Sequence, residues 1–402
     1  MGRSSIFMVI GFNMIFMAIG FNISQISTTA YENYIGYYDR STAHRIAASA
    51  ANMACSEVSF VPNWRTGYSN VEYLGGSYDV TVSDLDSGRI QIVADATYEG
   101  TSARVRIVLG ISSFSKFAYF SNIEGGIYWI TGDTVWGPFH TQQKLTVAGS
   151  PVFYGKVTAK NGLTKNPSSS KPKFYGGFQK GVSIDLPANL NPLVTAAQSG
   201  GAYFNNQDLW LEFHANGKVT YRVGSATATP TTVDISTFAP NGVIMANNGN
   251  MRIKGKVSGK VTISATGSSG AAKGNVYVDS SVTYVNNPMS GASNDLLGIV
   301  ADNNVIITDN ANNSGNVNLH ATIFSRSGGL TAQNYNSRPA GGTLTVLGGI
   351  QQYQRGPVGT FSGSGTIASG FQKNYRYDER LYVDTPPFFP TTGSYEVLSW
   401  YE

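Results

Sequence analysis

Residues 6–23 carry no charged side chain, Arg3 stands just before them, and the next charge is Glu32. As a helix at 1.5 Å per residue, this run would rise about 27 Å, close to the hydrocarbon thickness of a bilayer. The helical pattern does not stop there. Apolar and small residues keep helical spacing through Ile26, Ala30, Tyr34, Tyr37 and Ser41, then Ala43, Ala47, Ala50 and Ala54, and the first proline is Pro62. The pattern predicts one helix over about residues 4–58. Its first half spans a membrane, and its second half carries a small-residue stripe (Ala43, Ala47, Ala50, Ala54) able to dock under a sheet. With Arg3 as the flanking cation, the positive-inside rule leaves the N-terminus cytoplasmic and the remainder outside.

After Pro62 the period changes to two. Tyr78, Val80 and Val82 alternate with polar residues, as do Ile90, Ile92, Ala94 and Ala96, then Ala103, Val105, Ile107 and Leu109. Asp86-Ser87-Gly88 and Glu99-Gly100 supply hairpin chemistry between them. Three antiparallel strands with one apolar face need a cover, and the alanine stripe is the nearest.

From Phe114 onward brief apolar runs alternate with Gly, Asn and Ser. A loose motif recurs at residues 145–149, 251–255 and 344–348 (Leu145-Thr146-Val147-Ala148-Gly149 is the first copy), with irregular spacing. Short strands with Gly and Asn corners predict a parallel β-solenoid in which asparagines stack as ladders; an antiparallel β-sandwich is the alternative. Residues 189–197 read as a short helix, and residues 165–173 and 328–342 as exposed loops. The predicted fold class is mainly β with one long N-terminal helix. It divides into residues 1–61 (helix), 62–112 (small antiparallel sheet) and 113–402 (solenoid-like surface domain).

Composition narrows the function. Charged residues are only 13% of the 402, while glycine reaches 46, which suits a turn-rich β protein better than a disordered polyelectrolyte. The net charge is +4 and no basic run of five occurs, so no nucleic-acid partner is expected. Cys55 is the only cysteine, which rules out an internal disulfide and reads as a packed helix residue.

Gly2-Arg3-Ser4-Ser5 with the apolar run, Asn33-Tyr34 and the stretch from Asp39 to Ala50 resemble the N-terminus of PilX-type minor pilins, a family similar to the tip pseudopilins of type II secretion. Residues 129–141 and the ending Tyr377-Asp378-Glu379-Arg380 through Glu402 are similar to uncharacterised bacterial surface proteins in which a β-helix-like domain follows such a start. The resemblance implies cleavage by a prepilin peptidase between Gly2 and Arg3, and packing of the helix among other pilin helices. Phe7 stands at the fifth position after that cut, where major pilins carry a glutamate, so a tip or accessory subunit is expected rather than the main fibre subunit. Ile10-Gly11-Phe12-Asn13 recurs as Ile19-Gly20-Phe21-Asn22, nine residues on. Nine steps of 100° put Asn13 and Asn22 on opposite faces, which suits a helix surrounded by others, with Gly11 and Gly20 permitting close approach.

Chemistry is sparse. His44, His140, His214 and His320 lack metal spacing. Glu212 and His214 share a strand face, and Ser113 to Lys116 fits Ser-x-x-Lys by letters only. Asp133, Asp302 and Asp309 are the carboxylates to test for sugar chemistry, and the Asn-rich turns at Asp302 and Asp309 those to test for calcium. No catalytic residue, metal or cofactor is expected. The expected function is a non-enzymatic pilin-like subunit, inserted in the bacterial inner membrane and then assembled at the tip or flank of a surface filament. There it would display its β domain for adhesion or assembly, with surface glycans as one partner class. A membrane-anchored β-helix that binds or cleaves polysaccharide is the alternative.

Overall fold

The N-terminal helix runs from Arg3 to Phe60 without a break, 58 residues or about 87 Å. It stops where the chemistry changes: Val61 leaves the helical region (φ −126°, ψ 87°), as the clash with the ring of Pro62 demands. The computed structural model describes residues 2–85, 88–268, 272–361 and 367–402. The chain divides into two units, residues 1–111 with 394–402, and residues 112–393.

In the first unit the second half of the helix is buried along one stripe. Ile46, Ala47, Ala50, Ala51, Ala54 and Val58 share a core with Tyr78, Val80, Val82, Ile90, Ile92, Ala94, Ala96, Val105, Ile107 and Leu109. The spacing of three and four returns these side chains to one face each turn, and their small size lets the helix lie close to the sheet. Gly76 marks how close: a Cβ there would sit 2.9 Å from Ile46 Cδ1.

The sheet has five strands, in the order Tyr68–Tyr73, Gly76–Asp84, Arg89–Tyr98, Thr101–Ser113 and Thr391–Tyr401. Antiparallel register puts Val80 opposite Ala94 and Ala94 opposite Val105, so the apolar face is continuous. Two hairpins turn at Leu74-Gly75 and Glu99-Gly100, where both central residues have positive φ, the twist that suits two-residue connections. Gly88 also has positive φ; Asp86 and Ser87 of that expected turn lie outside the described residues.

The division differs from the expected one. Tyr68–Tyr73 adds an unforeseen edge strand, and the last nine residues belong with the first unit rather than with a domain spanning 113–402. The terminal strand shows no clean alternation, with Val397, Leu398, Trp400 and Tyr401 all partly exposed, so its sequence carried no period-two signal. Gly110 receives it closely: a Cβ there would lie 2.6 Å from Leu398 Cδ1.

The second unit is built mostly on parallel pairs, which sets aside the antiparallel sandwich. One ladder stacks Val243–Asn247, Lys260–Ala265, Leu296–Ala301, Val317–Ser325 and Ala340–Gln354. Ile244, Ile263, Ile299, Ile323 and Ile350 lie in register along it, each 2% exposed or less. A second stacks Leu209–Phe213, Met251–Val257, Val276–Tyr284, Val305–Ile307 and Leu330–Ala332. The order along the first ladder is not the chain order. Ile350 pairs with Tyr119, which continues to Phe139 and Val157, so the first strand of the unit is added onto one of its last.

Strands such as Leu296–Ala301 are buried at every position, because side chains on their second face are covered too. Leu190, Leu193, Ala196 and Ala197, on and beside the helix Asn191–Gly200, cover that face with Phe114 and Phe389. The region 328–342, expected as an exposed loop, contains the strand Leu330–Ala332 and the buried Arg338. Arg338 donates to the Asn313 carbonyl (2.6 Å) and lies 4.3 Å over the Phe371 ring.

Corners between these ladders are held by the side-chain oxygens of one aspartate and a row of asparagines. Asp208 Oδ1 accepts from the Asn250 N–H (2.8 Å), Asn250 Oδ1 from the Asn275 N–H (3.0 Å), Asn275 Oδ1 from the Asn304 N–H (3.0 Å), and Asn304 Oδ1 from the Gly329 N–H (3.1 Å). Each rung thus satisfies a backbone donor that the corner leaves without a ladder partner.

Candidate functional site

The first half of the helix is the largest chemical anomaly. It is the one helix among the described residues that is long and apolar enough to cross a membrane. Its side chains are exposed all round: Phe7 is 74% and Met17 76% exposed. A helix apolar on every face is stable only against lipid or other apolar helices. Among the described residues nothing lies within 4 Å of a Cβ added at Gly11 or Gly20, so a close-approach surface is open at both. Asn13 and Asn22 are exposed on the same segment, and a carboxamide in hydrocarbon is costly until another helix or water pairs it. Gly2 precedes the first helical residue, Arg3.

The stripe residues Ala43, Ala47, Ala50 and Ala54 are fully buried. Cys55 lies beside the stripe, and burial pushes its thiol up to about 11, which leaves it protonated and unreactive at neutral pH.

The carboxylates singled out in the sequence are not brought to one place with free oxygens; each is engaged locally. Asp133 Oδ2 accepts from the Ile130 N–H (2.9 Å). Asp302 accepts from Arg326 Nε (2.5 Å) and the Gly267 N–H (2.9 Å). Asp309 Oδ2 accepts from Asn334 Nδ2 (2.9 Å). Among the described residues no group of three His, Cys, Asp or Glu could hold a metal. Glu212 pairs with Lys254 (3.0 Å) while His214 Nε2 meets Thr220 Oγ1 (2.8 Å). Ser113 caps a short 3₁₀ turn, Phe114–Lys116, accepting from the Ser115 N–H, whereas Lys116 lies over the Tyr382 ring at 5.3 Å. That arrangement is a cap and a cation–π contact, not a nucleophile and its base.

One buried polar centre had no sequence signal. Glu124 Oε2 accepts from Trp129 Nε1 (3.2 Å) and meets Arg355 Nη1 at 3.5 Å. Ser121 also donates to this carboxylate. Arg355 lies 4.3 Å over the Trp129 ring, and Gln352 donates to the Tyr119 hydroxyl (3.0 Å). Burial disfavours the Arg355 cation, but Tyr119, Glu124 and Asp133 more than compensate and hold it charged. Burial, with the nearby Arg355 cation, pulls Lys373 down to about 8. This centre sits where Ile350 pairs with Tyr119, so its evident work is to fasten that join. Separately, His140 is buried with Nδ1 on Thr158 Oγ1 (2.7 Å), and Nε2 has no hydrogen-bond partner among the described residues. Burial pulls its imidazole down to about 4, so it is neutral at physiological pH.

A family model described as a domain of unknown function (DUF4900) matches residues 78–161. No curated protein matches the chain. Among solved structures it is similar to the competence-associated pilin ComZ from Thermus thermophilus, with 13% identity and a TM-score of 0.34 over 83% of this chain and 86% of that one.

Proposed function

We propose that this protein is a type IV pilin-like subunit of the minor-pilin or pseudopilin kind, held first in the bacterial inner membrane and then built into the tip or flank of a surface filament. The observation that carries this reading is the division of one continuous helix. Residues 6–23 are apolar yet uncovered, and one stripe of residues 43–58 is sealed under an antiparallel sheet. A simple anchor has no need of a rigid extension locked to a sheet; a subunit that moves from lipid into a helical bundle does. The wheel of Gly11, Asn13, Gly20 and Asn22 supplies close approach and paired amides in that bundle.

In this reading a prepilin peptidase cuts between Gly2 and Arg3, and Phe7 leaves the subunit without the acid of a main fibre subunit. Residues 112–393 form a parallel β-solenoid, supported by the stacked parallel ladders and their Asp208–Asn250–Asn275–Asn304 corner. The chain enters and leaves this unit through strands that neighbour each other in the sheet, Thr101–Ser113 and Thr391–Tyr401, a double connection suited to a displayed domain under load. The role is mechanical and involves no catalytic step.

The test is the mass and location of the mature chain. The protein recovered from sheared surface filaments is expected to begin at Arg3. An intact Met1 in filaments, or a chain found only in membranes, would sink the proposal.

A further inference from the structure

Two sequence motifs that filament assembly leaves unused, residues 129–141 and 377–380, meet in the second unit. A Cβ added at Gly137 would lie 2.8 Å from the Tyr377 ring, so glycine is what lets the two segments close together. Beside this contact opens a groove of about 680 Å³, within the ~300–1,000 Å³ of small-molecule sites.

The indole of Trp136, 50% exposed, forms one wall. One of its faces is already occupied: Tyr154 stacks on it at 4.4 Å and 13°, and Tyr175 stacks on Tyr154 at 5.2 Å and 13°. Tyr154 does not line the groove, and the stacked column fixes the plane of the indole that does. Met289, 59% exposed, adds a second apolar surface. Arg376 and Glu379 also line the groove; both are exposed, and among the described residues neither side chain makes a hydrogen bond or ion pair. Asp378 and Arg380 neutralise each other at 2.6 Å.

We propose that this groove binds a neutral saccharide. A flat, fixed indole matches the C–H face of a pyranose ring, which is apolar although its rim is not. Arg376 offers only donors and Glu379 only acceptors, and adjacent sugar hydroxyls can serve both at once. Among the described lining residues the charged side chains balance, Arg376 against Glu379 and Arg380 against Asp378, so the lining itself favours neither an anionic nor a cationic ligand. Binding here does not require the helix to assemble, so this proposal and the filament reading fail separately.

The experiment uses the full chain in a zwitterionic detergent without a sugar headgroup. It is screened against neutral oligosaccharides ending in glucose, galactose, mannose or N-acetylglucosamine, alongside sialylated and sulfated glycans and a peptide library. The best neutral hit is then titrated by isothermal calorimetry, a readout independent of the indole. Trp136→Ala and, independently, the exposed Arg376→Ala are each expected to weaken binding about tenfold, and Trp136→Phe to retain it within about threefold. The proposal is overturned if no neutral saccharide binds below about 10 mM. It is equally overturned if binding survives both alanine variants, or if charged glycans or peptides bind at Trp136 in preference.

Discussion

In the sheet of the first unit every buried side chain from Tyr78 to Leu109 is apolar, among the described residues, whereas the parallel region buries Glu124, His140, Gln351 and Arg355. The difference follows from how each region satisfies its backbone. Antiparallel strands joined by tight turns pair with their sequence neighbours, so one face can be purely apolar and the other wet. Parallel strands pair with segments a whole circuit away, and each corner leaves donors that side chains must meet. Along the first ladder both strand faces are also covered, so polar groups become trapped and must find partners. The first region is thus held by hydrophobic contact, and the second adds polar joints whose loss is felt far along the chain.

The strongest break in this comparison is at the Glu124–Arg355 joint. Arg355→Ala leaves a carboxylate that is 3% exposed without its counter-charge, a loss expected to destabilise the second unit by ~3–5 kcal/mol. Chemical unfolding of the full chain measures it. The double variant Glu124→Gln with Arg355→Met should recover most of the loss, and an equal loss in both would show that packing rather than charge is at stake.

Next in size is the pH dependence at His140. Its pKa is about 4 when folded and near its ordinary 6.5 when unfolded, so between these values the unfolded chain binds more protons and stability rises with pH. Acidification from pH 6.5 to 4 is therefore expected to cost the second unit about 3 kcal/mol through this residue, and the cost stays constant below pH 4. His140→Gln should flatten the unfolding profile by that amount in that window; a parallel profile would refute the assignment.

The smallest effect sharpens the contrast within the helix. Ala50→Leu overfills the seam under the sheet and is expected to destabilise the first unit by ~1–3 kcal/mol. Ile15→Ala, on the uncovered half, should change that unit's unfolding midpoint in detergent by no more than ~0.5 kcal/mol. A comparable loss from both would mean that the first half also packs on its own chain.

How far these features could be read from residues varies with the range of the interaction. The alanines at 43, 47, 50 and 54 repeat with the helix itself, and Tyr78, Val80 and Val82 with the strand, so local periodicity displays both. The Asn250–Asn275–Asn304 corner was foreseen in kind but not in its members, since irregular circuit lengths hide which asparagines align. Glu124 and Arg355 carried no signal, because they are 231 positions apart and meet only through the pairing of Ile350 with Tyr119. Likewise the Trp136 groove joins two motifs that were visible separately and meaningless until brought together.

By itself the sequence determined the long helix, its apolar first half, the buried stripe and the hairpin sheet, all consequences of one-dimensional period and turn chemistry. Only the tertiary structure decided that the last strand returns to that sheet, that the unit's first strand is added onto one of its last, and which polar groups share the interior. Those outcomes depend on contacts between distant segments, where no local pattern constrains the partner and the whole set of pairings must be satisfied at once.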